Sequence, residues 1–291
     1  MTYTLSQWVM FFYVYSLLGW IWESAYVSIC KCKLVNRGFL KGPFLPIYGS
    51  GAVCILVVTL PVRGNIPAMI LVGMAAATVL EYVTGAVMEK LFHVRYWDYT
   101  GNFLNVNGYI CLKSTLCWGA MTVLVVDVFQ VRIEQIVCAV NEKYITGIVI
   151  AIMPILTADF VTSFRAAIQL RDMLVQGEKI KEELHRLTEK KNELENMLMS
   201  AGEKAKAQIL AELQDIMMRT GQQKERLRIA SVDSIKGLLK RNPMAMSRWH
   251  KESFAELKQA VMEKRQTVKD KTQTMVEKTQ NVREKLDAFW K

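Results

Sequence analysis

Three carboxylates, Glu23, Glu81 and Asp159, stand in otherwise apolar stretches long enough to cross a bilayer. An ionised carboxylate in hydrocarbon is costly. Such residues therefore face a protein interior or a wet cavity, and they mark function. The pattern implies a polar site in the core of a polytopic membrane protein, without naming its substrate.

Two polar loops carry the remaining chemistry. The run from Asn36 to Gly51 holds four glycines, with Pro43 and Pro46, beside Arg37 and Lys41. Glycines and prolines prevent a regular helix at its start and predict a fixed, turning backbone that enters the membrane. Irregular backbone is tolerated at that depth only where it is buried in protein or lines a cavity. Glycines also let successive N–H groups converge on an anion, and Arg37 and Lys41 would add charge. The second loop places His93, Arg95 and Asp98 within one polar cluster, followed by Asn102, Asn105, Asn107 and Gly108. Its aromatic residues suit the headgroup layer. The candidate site is therefore Glu23, Arg37, Glu81, His93, Arg95, Asp98 and Asn107, with Asp159 as a secondary membrane acid. No His or Cys spacing fits a metal centre. Cys30 and Cys32 flank a lysine without a second pair, and the six cysteines read as small apolar residues.

The elements that must position these residues follow from composition. Residues 1–164 carry 10 of the chain's 37 Lys+Arg and 8 of its 27 Asp+Glu, and the remainder is densely charged. That division predicts an all-α protein: a helical membrane bundle over 1–165 and a helical extension beyond it. A spanning helix needs about 20 mostly apolar residues. Five candidates run over roughly 6–29, 44–62, 66–90, 113–131 and 145–165. The first apolar run reads as a span, since no basic leader or small-residue cleavage site accompanies it. Basic residues concentrate at Lys31, Lys33, Arg37 and Lys41, at Lys90, Arg95 and Lys113, and in the tail. The positive-inside bias then predicts an outside N-terminus and a cytoplasmic tail on a multi-pass plasma-membrane protein. At 1.5 Å per residue, Glu23, Glu81 and Asp159 would share a depth roughly 9–14 Å from the cytoplasmic edge. Gly73, Ala77, Glu81 and Gly85 form a small-residue stripe, which permits close helix contact.

In the tail, Leu170, Met173, Gly177, Ile180, Leu184, Leu187, Lys191, Leu194, Leu198 and Ala201 fall on a three-and-four spacing, with Gly177 and Lys191 as defects. That seam predicts a coiled coil, by self-association or with a partner helix, through 170–201. A helical region is expected over 166–241, with a break at Pro243. A charged heptad-repeat helix is expected over 244–291, with Phe254, Val261, Val268, Met275, Val282 and Phe289 seven apart.

The ordered motifs resemble one family of bacterial membrane proteins. They are Gly19-Trp20-Ile21-Trp22-Glu23, Arg37-Gly38, Gly42-Pro43-Phe44-Leu45-Pro46-Ile47-Tyr48-Gly49, Glu81-Tyr82-Val83-Thr84-Gly85 with Glu89, Trp97-Asp98-Tyr99, Asn107-Gly108-Tyr109-Ile110-Cys111-Leu112 and Trp118-Gly119. Over roughly residues 8–165 the chain is similar to the CmpB-type ABC-transporter permeases. The resemblance implies a permease-like membrane component. The chain has no Gly-x-x-x-x-Gly-Lys-Ser/Thr loop, so such a role requires a separate ATPase subunit. No Ser-His-Asp pattern or nucleophile elbow supports a hydrolase, and no catalytic residue or cofactor is assigned. The basic tail lacks interleaved aromatics, so no specific nucleic acid is expected. A membrane-anchored coiled-coil scaffold and an enzyme acting on inner-leaflet lipid headgroups remain as alternatives.

Overall fold

A computed structural model of the chain describes residues 3–200, 203–229 and 233–259. Among these every regular element is a helix, with two isolated antiparallel bridges and no named strand. Helix α1 (Leu5–Cys30) opens with a reciprocal capping box between Thr4 and Gln7. Helix α2 (Pro46–Thr59) starts on a proline, whose missing N–H has no helical partner to lose at that position. Helix α3 (Ile66–Phe92) is capped by the Asn65 side chain and stops at His93, which adopts a left-handed conformation with φ 55°.

Helices α4 (Leu112–Val123) and α5 (Gln130–Ala139) are joined by a π-helical turn over Leu124–Phe129, giving one 28-residue apolar rod. Helix α6 (Glu142–Ser200) runs 59 residues without a break, about 90 Å at the standard rise. The last two rods outrun their expected ends at 131 and 165. Polar residues end an apolar run there, and they do not end a helix. Three rods, Ile66–Phe92, Leu112–Ala139 and Glu142–Met197, are long and apolar enough to cross a membrane. At most 28% of their most apolar windows is buried inside the protein, which is compatible with a membrane environment. Helix α1 is as long, but Trp and Tyr dilute its hydropathy; α2 is short.

Helix ends sort onto two faces. On one, Ser6 meets Thr146, Gln7 meets Cys138, and Arg63 pairs with Glu134 at 3.6 Å. On the other lie the segments 31–45 and 93–111. Between them a core of Phe11, Tyr13, Ile55, Met69, Ala77 and Val125 packs α1, α2, α3 and the π turn together.

The chain beyond α6 turns back. Helix α7 (Glu203–Ile229) lies along α6, with Leu187 and Leu194 packed against Ile209, Leu213 and Ile216. Helix α8 (Asp233–Arg241) then inserts Ile235, Leu238 and Leu239 into a second core formed by Phe92, Val94, Leu170 and Leu174. A fully buried Leu or Ile contributes roughly 1.5–3 kcal/mol, so α8 is anchored mainly by these three side chains. A further helical stretch over 251–259 adds Phe254 to that core. Of the expected repeat over 244–291, residues 260–291 lie outside the described residues.

Candidate functional site

The buried face of α3 reads Met69, Gly73, Ala77, Glu81, Gly85 and Glu89, a strict spacing of four. The small residues let α4 and the 93–111 loop approach closely, so both acids on this stripe are drawn inward. Glu81 is 7% exposed. Tyr99 donates its hydroxyl to Glu81 Oε1 at 3.2 Å, and Trp118 donates its indole N–H to Oε2 at 3.0 Å. Among the described residues no cation pairs with this carboxylate. It is satisfied by neutral donors alone. Burial, then Glu81, and more distantly Glu23, push the Tyr99 phenol well up. That hydroxyl stays a donor to Glu81.

Glu23 is held differently. Arg37 Nε donates to its Oε1 at 3.2 Å and Tyr48 donates to its Oε2 at 2.7 Å. Both donors come from the 36–51 segment, which enters the bundle as its glycines and prolines require. The amide of Leu45 donates to the Ser16 carbonyl, 14 residues and roughly 20 Å up α1 from Cys30. Gly49 makes this entry possible, since a Cβ there would strike Ser16 and the Phe12 backbone. Asp159, on α6, fixes the other side of the segment: the amides of Lys41 and Gly42 donate to its two oxygens at 3.0 and 2.7 Å. It therefore clasps the loop, and among the described residues its partners are Lys41, Gly42 and Ser163, not Glu23 or Glu81.

The 93–111 loop is built around buried Arg95. Its Nε donates to Glu89 at 2.6 Å and its NH1 to Asp98 at 3.1 Å, while its guanidinium lies 4.5 Å from the Tyr109 ring centroid. Tyr109 also donates to Glu89 at 2.6 Å. Burial pushes Asp98 up, but the Thr100 hydroxyl and amide, with Arg95 and Arg248, outweigh it and hold its carboxyl below the usual range. Gly108, with φ 74°, lies so close that any side chain would collide with Asp98, Arg95 and Thr100.

The predicted residues thus form linked groups and no single constellation. Glu23 meets Arg37, Arg95 meets Asp98, and Glu81 is held by its own aromatic donors. Asn107 donates to the Tyr82 hydroxyl, and His93 faces His250 of the tail at 3.1 Å. Sequence reasoning missed Glu89 as a site residue, although the stripe Gly73, Ala77, Glu81, Gly85 reaches it one turn further on. It also missed Tyr99, Trp118 and the tail residue Asn242, which accepts from Arg37 NH1 at 2.8 Å and donates to the Gly38 carbonyl at 3.0 Å. An apolar cleft of about 490 Å³ between α1, α2 and α6, lined by Phe12, Tyr13, Val53 and Met153, lies apart from these acids. No group of His, Cys, Asp and Glu among the described residues suits a metal ion.

No curated protein and no solved structure matches the chain. Residues 10–164, just over half of it, match the family described as "Putative ABC-transporter type IV", and they include Glu23, Arg37, Glu81, Glu89 and the whole 93–111 loop. The chain belongs to that family.

Proposed function

We propose that this chain is the membrane component of an ABC-type transporter, with its polar site in the cytoplasmic half of the membrane and its ATPase on a separate subunit. The carrying observation is Glu81. It is a buried carboxylate inside the family region, satisfied by neutral donors, whereas its neighbours Glu23 and Glu89 are already neutralised by arginines. A carboxylate without a cation of its own is the group left to engage a polar or cationic part of a transported molecule. Glu23 with Arg37 and Arg95 with Asp98 form separate paired groups nearby, His93 and Asn107 lie in the same loop region, and Asp159 holds the loop that carries Arg37.

The two-faced sorting of helix ends supports five crossings. The N-terminal segment, residue 63 and residues 134–146 share one side; the 31–45 and 93–111 loops and the tail share the other. With the positive-inside bias, the second side is cytoplasmic in a multi-pass plasma-membrane protein. The unit 1–165 is then the membrane part, and 166–241 and 244–291 the tail. A scaffold reading draws on the long helical pair of α6 and α7, packed through Leu187, Leu194, Ile209, Leu213 and Ile216.

The test is purification of the full chain in gentle detergent from its own cells, with Glu81→Gln alongside. Copurification of an ATPase, together with a folded Glu81→Gln chain that fails to complement the deletion strain, supports the transporter. A structural partner without an ATPase, or full complementation by Glu81→Gln, overturns it.

A further inference from the structure

The tail residues 242–259 lie against the 93–111 loop and beside the Arg37–Glu23 pair, outside the region the family covers. Met246 and Arg95 exchange both backbone hydrogen bonds, at 2.7 and 2.9 Å. The Ser247 hydroxyl donates to the His93 carbonyl at 2.6 Å and receives the His250 amide. Arg248 reaches the Thr100 hydroxyl, and Asn242 reaches Arg37. Two of the chain's three histidines meet in this contact. His93 Nδ1 and His250 Nε2 are 3.1 Å apart, the rings stack at 28°, and Trp249 lies over His93 at 4.2 Å.

We propose that residues 244–259 are a closing strap over the cytoplasmic loops and that the His93–His250 contact is its proton-sensitive clasp. The geometry sets the rule. Two ring nitrogens 3.1 Å apart share one proton: one donates and the other must accept. On the far side of the His250 ring, Nδ1 lies 2.8 Å from the Glu178 carboxylate of α6, a charge contact without hydrogen-bond geometry. With the shared proton on His250, a second proton on His93 Nδ1 removes the acceptor and brings positive charge into the contact. The other charged groups do not relieve it. From α6, Asp172 faces His93 but is paired with Arg171 at 2.7 Å, and Arg171 opposes a charge on His93. From α3, Glu89 is taken by Arg95, and in the strap Arg248 is a further cation near Asp98. Burial first, then His250 and Arg171, hold His93 below the ordinary imidazole value.

The sign follows. With the docked value lower than the undocked one, docking is at full strength above the ordinary imidazole value, about 6.5. It weakens as the pH falls below that and is weakest below the docked value. Helix α8 remains seated, because Ile235, Leu238 and Leu239 hold it without titratable groups. The strap inference stands on these contacts and not on the transporter reading.

Hydrogen–deuterium exchange on the full chain in detergent, corrected for the intrinsic pH dependence of exchange, tests it between pH 5 and 8. Amides of 246–257 should gain exchange several-fold on acidification, while those of α8 and α3 stay protected. His93→Asn keeps a residue that accepts the left-handed conformation, and His250→Gln keeps a neutral hydrogen-bonding group. In either variant the strap's exchange should lose its pH dependence. Should one variant misfold, shown by lost protection in α3, the other decides. A strap whose exchange is flat with pH in the native chain, or whose acid response survives in a folded variant, overturns the proposal.

Discussion

At the scale of single residues, the site is a lesson in which charges are already matched. Arg95 is 4% exposed and sits between Glu89 and Asp98. Removing one partner of a buried ion pair leaves the other uncompensated and costs about 3–5 kcal/mol. Arg95→Ala should therefore lower the thermal midpoint in detergent steeply. Glu89→Gln should cost less, since Asp98 still neutralises Arg95 and Tyr109 keeps an acceptor. Equal losses from the two substitutions would contradict this division of roles. Glu81 belongs to the other class. Glu81→Leu would strand the Trp118 indole N–H and the Tyr99 hydroxyl, so a folded but inactive chain carrying it separates a binding role from a purely structural one.

Residue chemistry was only half legible in the sequence. Glu23 and Glu81 announce themselves by standing in apolar runs. Glu89 does not, because it lies near a helix end beside Lys90, where an acid ordinarily reaches for water. Its burial depends on Arg95 turning back six residues later, and loop geometry of that kind leaves no periodic trace. Tyr99 read as a headgroup aromatic and Trp118 as a residue inside a span, and both serve as donors to Glu81.

At the scale of elements, α6 and α7 form a hairpin whose seam belongs to one chain. The heptad spacing through Leu187 and Leu194 was visible, but its partner was not, because α7 lies further along the chain and contributes Ile209, Leu213 and Ile216 at long range. The Lys190–Glu212 pair is exposed and adds little, at most about 1 kcal/mol. The apolar seam must therefore carry the hairpin. Leu194→Asp combined with Ile216→Asp should abolish amide protection over 209–217 while leaving 66–92 protected. Unchanged exchange there would mean the hairpin does not depend on this seam. The re-entrant 36–51 segment was the most readable element. Gly38, Gly42 and Pro43 keep residues 36–45 irregular, and the chain enters the bundle there, whereas Pro46, Gly49 and Gly51 lie inside α2.

At the scale of the whole molecule, native cysteines report orientation. Cys138 is exposed at the α5 end, on the same side as Gln7 and Thr146, whereas Cys30 and Cys32 are exposed at the loop end of α1. A membrane-impermeant thiol reagent on intact cells should modify Cys138 and spare Cys30 and Cys32. The reverse pattern would invert the proposed orientation and with it the assignment of the polar site to the cytoplasmic half. The return of α8 to the membrane face could not be read from composition. Its apolar residues look like one more short amphipathic helix until Phe92, Val94, Leu170 and Leu174 supply the surface that receives them.

Pro154 sits inside α6. It deprives the Ile150 carbonyl of its helical donor, which makes this the softest point of the rod. Asp159, which clasps the re-entrant loop, lies five residues beyond it; Glu178, beside His250, lies twenty-four beyond. About Pro154 these are lever arms of roughly 8 and 36 Å. A tilt of about 5° would shift Asp159 by roughly 0.7 Å and Glu178 by roughly 3 Å, on the same rise per residue. The first is within the give of a hydrogen bond. The second exceeds the separation of the Glu178–His250 pair. Such a tilt would part the Glu178–His250 contact while keeping the grip of Asp159 on the loop at the site. Pro154→Ala restores the missing bond and should stiffen the rod, slowing exchange in the strap without altering that of α2.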